Sequence, residues 1–430
     1  MDKSSINIAL AGFGTVGTGL ADILENNKDW LKKRLDRELN IKSVLVKDLN
    51  KVRTSIPSPQ TVFTDNPSDL ANDPDIDIVV ELIGGKDTAY EIITQALSSG
   101  KSVVTANKAL LAEKGPELFH LANKNNVGLY YEASVAGGIP IVQTLKENLA
   151  GNRIKSLTGI LNGTANFILS EMTNNQMDYE KALENAQELG YAEAEPSLDV
   201  DGLDAAHKLT VLIRLAHGED YPLNMLPIKG IRGIDPYDIG KAKEFGYQIK
   251  LLAQVKEKSG YLQAGVFPAL IQQDHMLAKV DGPFNAVLLK GNAVGPIMLY
   301  GQGAGDLPTG SAVLSDIMAL AREKKDFNNT GFVNHTLPYA NILQPELTVF
   351  KHYFRFTVKD KPGVLSILSG IMGEHNISIA QVVQKQESQG QFVPVVFFTH
   401  SAQEQDVQAA LEEINKLSFV QSPAVHYVIM

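Results

Sequence analysis

The chain has 430 residues, 44% of them hydrophobic, with 39 basic against 49 acidic side chains and a net charge of −10. That length suits two or three domains with a substantial core, and an acidic balance without a long Lys/Arg block argues against a nucleic-acid or anionic-membrane surface. The chain has no cysteine, which excludes disulfides, thiolate zinc sites, iron–sulfur clusters and Cys nucleophiles and fits a reducing compartment. No apolar stretch approaches the roughly 18 residues of a membrane span, and the short, glycine-broken N-terminal run does not read as a signal peptide, so a cytoplasmic location is expected.

Residues 6–11 form an apolar run followed by Gly12-Phe13-Gly14-Thr15-Val16-Gly17 and a helical pattern over 18–39. A second strand is expected at 41–46, then a polar loop, a third strand at 76–83, helix 88–98, strand 101–105, helix 109–124 and strand 127–131. This alternation predicts an α/β, Rossmann-like parallel sheet domain over residues 1–133. From Pro140 the texture changes to helices at 179–189 and 203–217 and strand-like stretches over 261–300. An α+β domain for catalysis and dimerisation is therefore expected over 134–304. A glycine-dense loop at 301–306 introduces a helix, 310–321, placed so that residues 305–323 return to the first domain. Residues 324–349 are polar, carry Asn, Gly and Pro, and read as a linker. The last segment, 350–430, runs strand 352–358, helix 364–375, strands 377–384 and 392–399, helix 402–417, strand 425–429, the βαββαβ order of a ferredoxin-like domain.

A bare G-x-G-x-x-G is weak evidence. Here it follows a strand and opens a helix, the setting in which glycines let a pyrophosphate approach backbone N–H groups at a helix N-terminus. Gly12, Gly14 and Gly17 thus point to a dinucleotide. After the second strand come Lys47-Asp48, with Arg53 nearby. A cation there tolerates a 2′-phosphate and Asp48 a plain ribose, so NADP is slightly favoured over NAD; alternatively Lys47 and Arg53 are merely solvated. The next candidate edge is Thr105-Ala106-Asn107-Lys108, where Lys108 is either an active-site cation or part of a capping loop. The segment from Gly190 to Lys208 holds five carboxylates and one lysine. Asp204 and Lys208, at i and i+4, match an ordinary surface ion pair. The later turns of the same helix are apolar nearly all round, which would carry both residues inward to a cleft. Glu132 through Pro140 offers glycine-freed carbonyls and a carboxylate for a hard cation, or a plain turn. Asn162-Gly163-Thr164 matches a glycosylation sequon but is explained by a strand-to-helix turn. The nine histidines include no H-E-x-x-H and no paired ligand spacing, so no zinc is expected.

These motifs together resemble the homoserine dehydrogenase family over nearly the full chain, and Asp360-Lys361-Pro362-Gly363-Val364-Leu365 resembles the start of an ACT domain. The resemblance implies oxidation of L-homoserine to L-aspartate 4-semialdehyde by NAD(P)+, the reverse reduction serving threonine, methionine and isoleucine synthesis. It makes Lys208 the proton donor during reduction, has Glu193 and the Gly190 backbone hold the substrate, Asp204 orient it, and Lys108 lie between substrate and nicotinamide. Phe13, Thr15, Val16, Thr105 and Gly305 would join the glycines at the cofactor. Glu132 and the carbonyls of Val135, Gly137 and Ile139 would bind sodium. It also implies a homodimer or homotetramer and threonine as an effector near Gly363 and Asn376. A non-catalytic nucleotide and amino-acid sensor is the alternative, though it has no evident need of Glu193, Asp204 and Lys208. A dehydrogenase working through an acyl-thioester is blocked by the missing cysteine.

Overall fold

The structure is a computed structural model and describes residues 4–53, 56–322, 327–333, 337–384, 392–421 and 423–430. The first apolar run is strand β1 (Ser5–Ala11). Helices α1 (Thr15–Asn26) and α2 (Lys28–Leu35), strands β2 (Glu38–Leu45) and β3 (Val62–Thr64), α3 (Ser68–Asn72), β4 (Ile78–Glu81), α4 (Asp87–Ser98), β5 (Ser102–Thr105), α5 (Lys108–Lys124) and β6 (Leu129–Tyr130) follow. The six strands form one parallel sheet in the order β3-β2-β1-β4-β5-β6. Parallel strands are covered on both faces and so read as continuous apolar runs, as β1 and β4 do. The order reverses between β1 and β4, which opens a crevice at their carboxyl ends where open α/β sheets take ligands.

The single helix expected over residues 18–39 is in fact two helices and the first residues of β2. Helix α2 buries only Leu31 and stops where Asp36 turns left-handed at φ 55°; Glu38 is already in the sheet. Strand β3 falls in the expected polar loop because three residues are too few to show a period, and residues 76–83 therefore supply the fourth strand rather than the third.

The middle of the chain comprises α6 (Ile141–Gln143), β7 (Ile154–Ile160), α7 (Gly163–Asn174), α8 (Tyr179–Glu188), α9 (Ser197–Val200), α10 (Leu203–His217), α11 (Pro236–Glu244), β8 (Tyr247–Lys258), β9 (Tyr261–Gln272), β10 (Phe284–Gly291), β11 (Gly295–Gln302) and α12 (Asp306–Arg322). Helix α12 packs Val313 and Ile317 in one core cluster with Ile8, Leu10 and Leu20 of the first domain. Its backbone lies directly on α1: a Cβ on Gly19 would come within 2.6 Å of the Asp306 carbonyl oxygen, and one on Gly310 within 2.9 Å of the Leu20 nitrogen. Only glycine permits that approach.

The C-terminal segment has β12 (Val349–Lys359), α13 (Val364–Glu374), β13 (Ile379–Gln384), β14 (Phe392–Thr399), the short β15 (Ala402–Gln403), α14 (Glu404–Asn415) and β16 (Val425–Ile429). The expected βαββαβ order is present. Its sheet, however, is fused to that of the middle region in the order β11-β10-β7-β8-β9-β16-β12-β14-β13, through parallel pairing of Val428 with Ala269 and Ile429 with Leu270. A buried clamp reinforces the seam: Arg355 on β12 donates from Nε and Nη2 to the two carboxylate oxygens of Asp238 on α11, and the Tyr353 hydroxyl adds a bond of 2.6 Å. The described part of residues 324–349 is also anchored. Asn329 is buried, accepting from the Leu129 N–H and donating to Asn123, while the Leu262 N–H donates to the Asn341 carbonyl and the Leu262 carbonyl accepts from the Leu343 N–H. Residues 323–326 and 334–336 lie outside the described residues.

Candidate active site

Helix α10 starts after Gly202, whose φ of 87° reverses the chain, and its side chains from Asp204 to Leu215 are buried. The apolar turns expected from the sequence draw the whole helix inward, and the Asp204–Lys208 pair goes with it. Asp204 is 3% exposed and Lys208 7%. Lys208 Nζ donates to Asp204 Oδ2 at 2.7 Å and to the Leu161 carbonyl oxygen at 2.7 Å. The other carboxylate oxygen, Oδ1, meets Lys108 Nζ at 2.8 Å. One aspartate therefore carries two lysines, one from each side of the gap between the first sheet and the middle domain.

The loop after β7 ties into the same cluster. Asn162 caps α7 through the Ala165 N–H, while its Nδ2 donates to Asp199 Oδ1 at 2.7 Å and Asp204 Oδ2 at 2.8 Å. Asn285 donates to the Leu161 carbonyl at 3.0 Å, so that oxygen is held from two directions. Burial would raise the Asp204 carboxyl, but the charges and hydrogen bonds of Lys208 and Lys108 hold it well below the usual carboxylate range. Burial, helped by the positive charge of Lys108, pushes Lys208 below the ordinary lysine value despite Asp204. Lys108 moves the other way: burial lowers it, but Asp204, Asp199 and Glu193 outweigh burial and keep it protonated. The two lysines on one aspartate thus shift in opposite directions, Lys208 down and Lys108 up.

Lys108 is the first residue of α5, 42% exposed, and its loop is fixed by Asn107, which accepts from the Leu110 N–H and donates to the Gly85 carbonyl. A cavity of about 290 Å³ opens here, lined by Val16, Glu81, Gly84, Gly85 and Lys108 among others. It lies at the carboxyl ends of β4 and β5, beside the glycine turn. Gly12 has φ 102° and a Cβ there would strike the Leu82 carbonyl, whereas a Cβ on Gly14 would meet only open space before the N-terminus of α1. Such a cradle fits a pyrophosphate. Gly17 is buried on α1 against the Gly12 carbonyl, Thr15 is exposed at the helix start, and Gly305, φ 127°, immediately precedes α12. Phe13 packs edge-on against Phe63 of β3, and the Arg53 guanidinium lies 5.1 Å over the Phe63 ring while donating to the Asp48 and Lys51 carbonyls. Lys47 is exposed at the end of β2. The Thr105 hydroxyl is buried and donates to Glu81 Oε2 at 2.6 Å, so it braces the crevice from below.

Glu193 is exposed at the rim, close enough to Lys108 to add to its positive shift, and Gly190 turns the chain at φ 76° just before it. The sequence pattern puts Asn162 in a tight turn and does not single out Leu161, Asn285, Asp199, Glu81 or Phe63 as site residues. Their signal lay only in the strand-end positions of Asn162 and Glu81. Glu132 accepts from the Val142 and Gln143 N–H groups with its two oxygens, and Asp316 accepts from the Glu132 N–H. Burial raises both carboxyls, and the charge of Glu132 raises Asp316 further. Ala136 and Gly137 both take positive φ, and the Ile139 carbonyl accepts from Ile141.

Comparison with known proteins follows these features along the chain. The homoserine dehydrogenase NAD-binding domain profile matches residues 12–132, the homoserine dehydrogenase profile residues 140–318 and the ACT domain profile residues 352–419. Homoserine dehydrogenase of Neisseria gonorrhoeae is 40% identical over 97% of each chain. The crystal structure of a homoserine dehydrogenase from Thiobacillus denitrificans superposes with a TM-score of 0.93 at 39% identity, covering 99% of this chain and 98% of that one. A hyperthermophilic archaeal homoserine dehydrogenase in complex with NADPH matches at TM-score 0.64 and 30% identity over 75% of this chain and 99% of its own. The glycine cradle, the paired lysines on Asp204 and the C-terminal βαββαβ unit thus lie in a chain that belongs to the homoserine dehydrogenase family of nicotinamide-dependent oxidoreductases.

Proposed function

We propose that this chain interconverts L-aspartate 4-semialdehyde and L-homoserine with NAD(P)H, and that Lys208 transfers the proton. The observation that carries this is the bonding of its Nζ. A protonated amine has three N–H donors, and two of them are spent on Leu161 and Asp204. The third position faces neither, and it holds a proton during reduction or a lone pair during oxidation. The nicotinamide, when bound, supplies or accepts the hydride. Lys208 then stabilises the developing alkoxide and protonates it. Lys108 remains charged beside the ring site, Glu193 and the Gly190 backbone receive the substrate's ammonium end, and Asp204 orients both lysines.

The cofactor cradle is assigned to Gly12, Phe13, Gly14, Thr15, Val16, Gly17, Thr105, Lys108 and Gly305. Arg53 beside Phe63, with Lys47, favours a 2′-phosphate and hence NADP, in keeping with the NADPH in the archaeal relative. Glu132 and the carbonyls of Val135, Gly137 and Ile139 would hold a sodium ion structurally. The fit is supported by Asp316, whose buried Oδ1 has no hydrogen-bond partner among the described residues. Residues 1–133 with 305–323, 134–304 and 350–430 serve as the cofactor, catalytic and regulatory units, the last binding threonine near Gly363 and Asn376 in a homodimer or homotetramer. The product serves threonine, methionine and isoleucine synthesis. Homoserine oxidation followed by nicotinamide absorbance with NAD+ and NADP+ in parallel tests the reaction: turnover with a preference for NADP+ is expected, and no absorbance change with either removes the reading.

A further inference from the structure

We infer that His352, Glu404 and His426 form a binding site for one divalent transition-metal ion of the zinc class, set in the C-terminal domain against the middle domain. The three donors come from three elements, β12, the first residue of α14 and β16, and their ligating atoms lie within 4.8 Å of one another. His352 is fully buried, and its Nδ1 stands 2.9 Å from His426 Nε2. Two imidazole nitrogens at that distance share a single proton, a poor way to fill a core position that a Phe would pack better.

The surroundings are those of an ion site. His352 Nε2 is 3.4 Å from the Ala402 carbonyl oxygen, and a proton held on that side leaves the Nδ1 lone pair free toward the centre. Gln408 Nε2 donates to Glu404 Oε1 at 2.6 Å and orients the carboxylate. A tetrahedral ion with ligands at about 2.0–2.1 Å needs donor atoms about 3.4 Å apart, so the nitrogens must part slightly and the carboxylate approach by about 1.5 Å at most. Imidazole and carboxylate suit zinc, cobalt and nickel. Glu404 and His426 also line a cavity of about 260 Å³ at the seam between the domains, with Phe267 and Phe350, which gives access and room for a water as fourth ligand. Lys229, the ammonium facing that cavity from the middle domain, is turned to the His426 carbonyl oxygen at 2.8 Å. The sequence spacing hides this cluster because no two of its members share an element.

The test uses the full chain without a histidine tag, stripped by chelator and titrated with Co²⁺ and then Zn²⁺. The expected result is one ion per chain with the visible absorption of low-coordinate cobalt, displaced by zinc. Glu404→Gln and His426→Gln should each weaken binding by at least about 100-fold, while homoserine oxidation and the circular dichroism spectrum stay unchanged. Glu404 is the safer variant for the fold because it is only half-buried. Failure to bind either ion saturably, or binding that survives both substitutions and so belongs to scattered surface groups, overturns the proposal.

Discussion

Replacing Lys208 with Met removes the amine and retains most of the side-chain volume. Asp204 is not abandoned, because Lys108 stays at 2.8 Å and Asn162 at 2.8 Å. The stability loss should therefore be about 1–3 kcal/mol, below the 3–5 kcal/mol typical when a buried ion pair loses its sole partner. Chemistry should suffer more. Loss of a positioned proton-transfer group costs about 10²–10⁴ in rate, equivalent to about 2.7–5.4 kcal/mol of barrier. The pH profile supplies the sign. Oxidation needs neutral Lys208, so kcat in that direction should rise with pH through a lysine value lowered by burial, and in the reverse direction it should fall over the same range. Steady-state kinetics in both directions, with a denaturation curve for each protein, separate these effects. A Lys208→Met enzyme that keeps more than about a tenth of kcat, or keeps the alkaline limb, refutes the assignment.

Asp204→Asn leaves two lysines facing each other without a countercharge, so the limb for oxidation should move to lower pH and the fold should lose about 3–5 kcal/mol, measured by urea titration. Gly14→Ala should leave the melting temperature unchanged, since its Cβ meets no protein atom, but raise KM for the cofactor at least about tenfold by filling the cradle; Gly12→Ala should lower both stability and affinity. Arg53→Ala should raise KM for NADP+ more than for NAD+, and equal effects would remove Arg53 from the 2′-phosphate site. Arg214 on α10 donates to the Leu111 and Ala112 carbonyls of α5 and to Asp220, so Arg214→Ala should cost about 3–5 kcal/mol by calorimetry and loosen the two domains together.

The parallel sheet was legible because β1, β4 and β5 are short apolar runs separated by amphipathic helices, and α10 was legible from its apolar turns. The inward course of Asp204 and Lys208 followed from that helix, whereas their roles rest on the family resemblance. What stayed hidden depends on contacts between distant segments. Leu161 contributes a carbonyl, which every residue has, and Asn285 and Asp199 meet the site only when β10 and α9 pack beside α7. The break between α1 and α2 was missed because Asn27 and Asp36 act through backbone angle, and the β9–β16 pairing because apolar strands do not name their neighbours.

That pairing has a mechanical consequence. The short parallel seam makes the C-terminal domain an extension of the same ribbon that, across β9 and β8, reaches β7, and the residue following β7 is Leu161, whose oxygen accepts from the Lys208 amine. A tilt or twist of the outer strands is thus geared to the lysine through continuous ladders instead of being absorbed in a slack tether. Removing residues 346–430 would also uncover one side of β9 as an unpaired, apolar edge open to self-association.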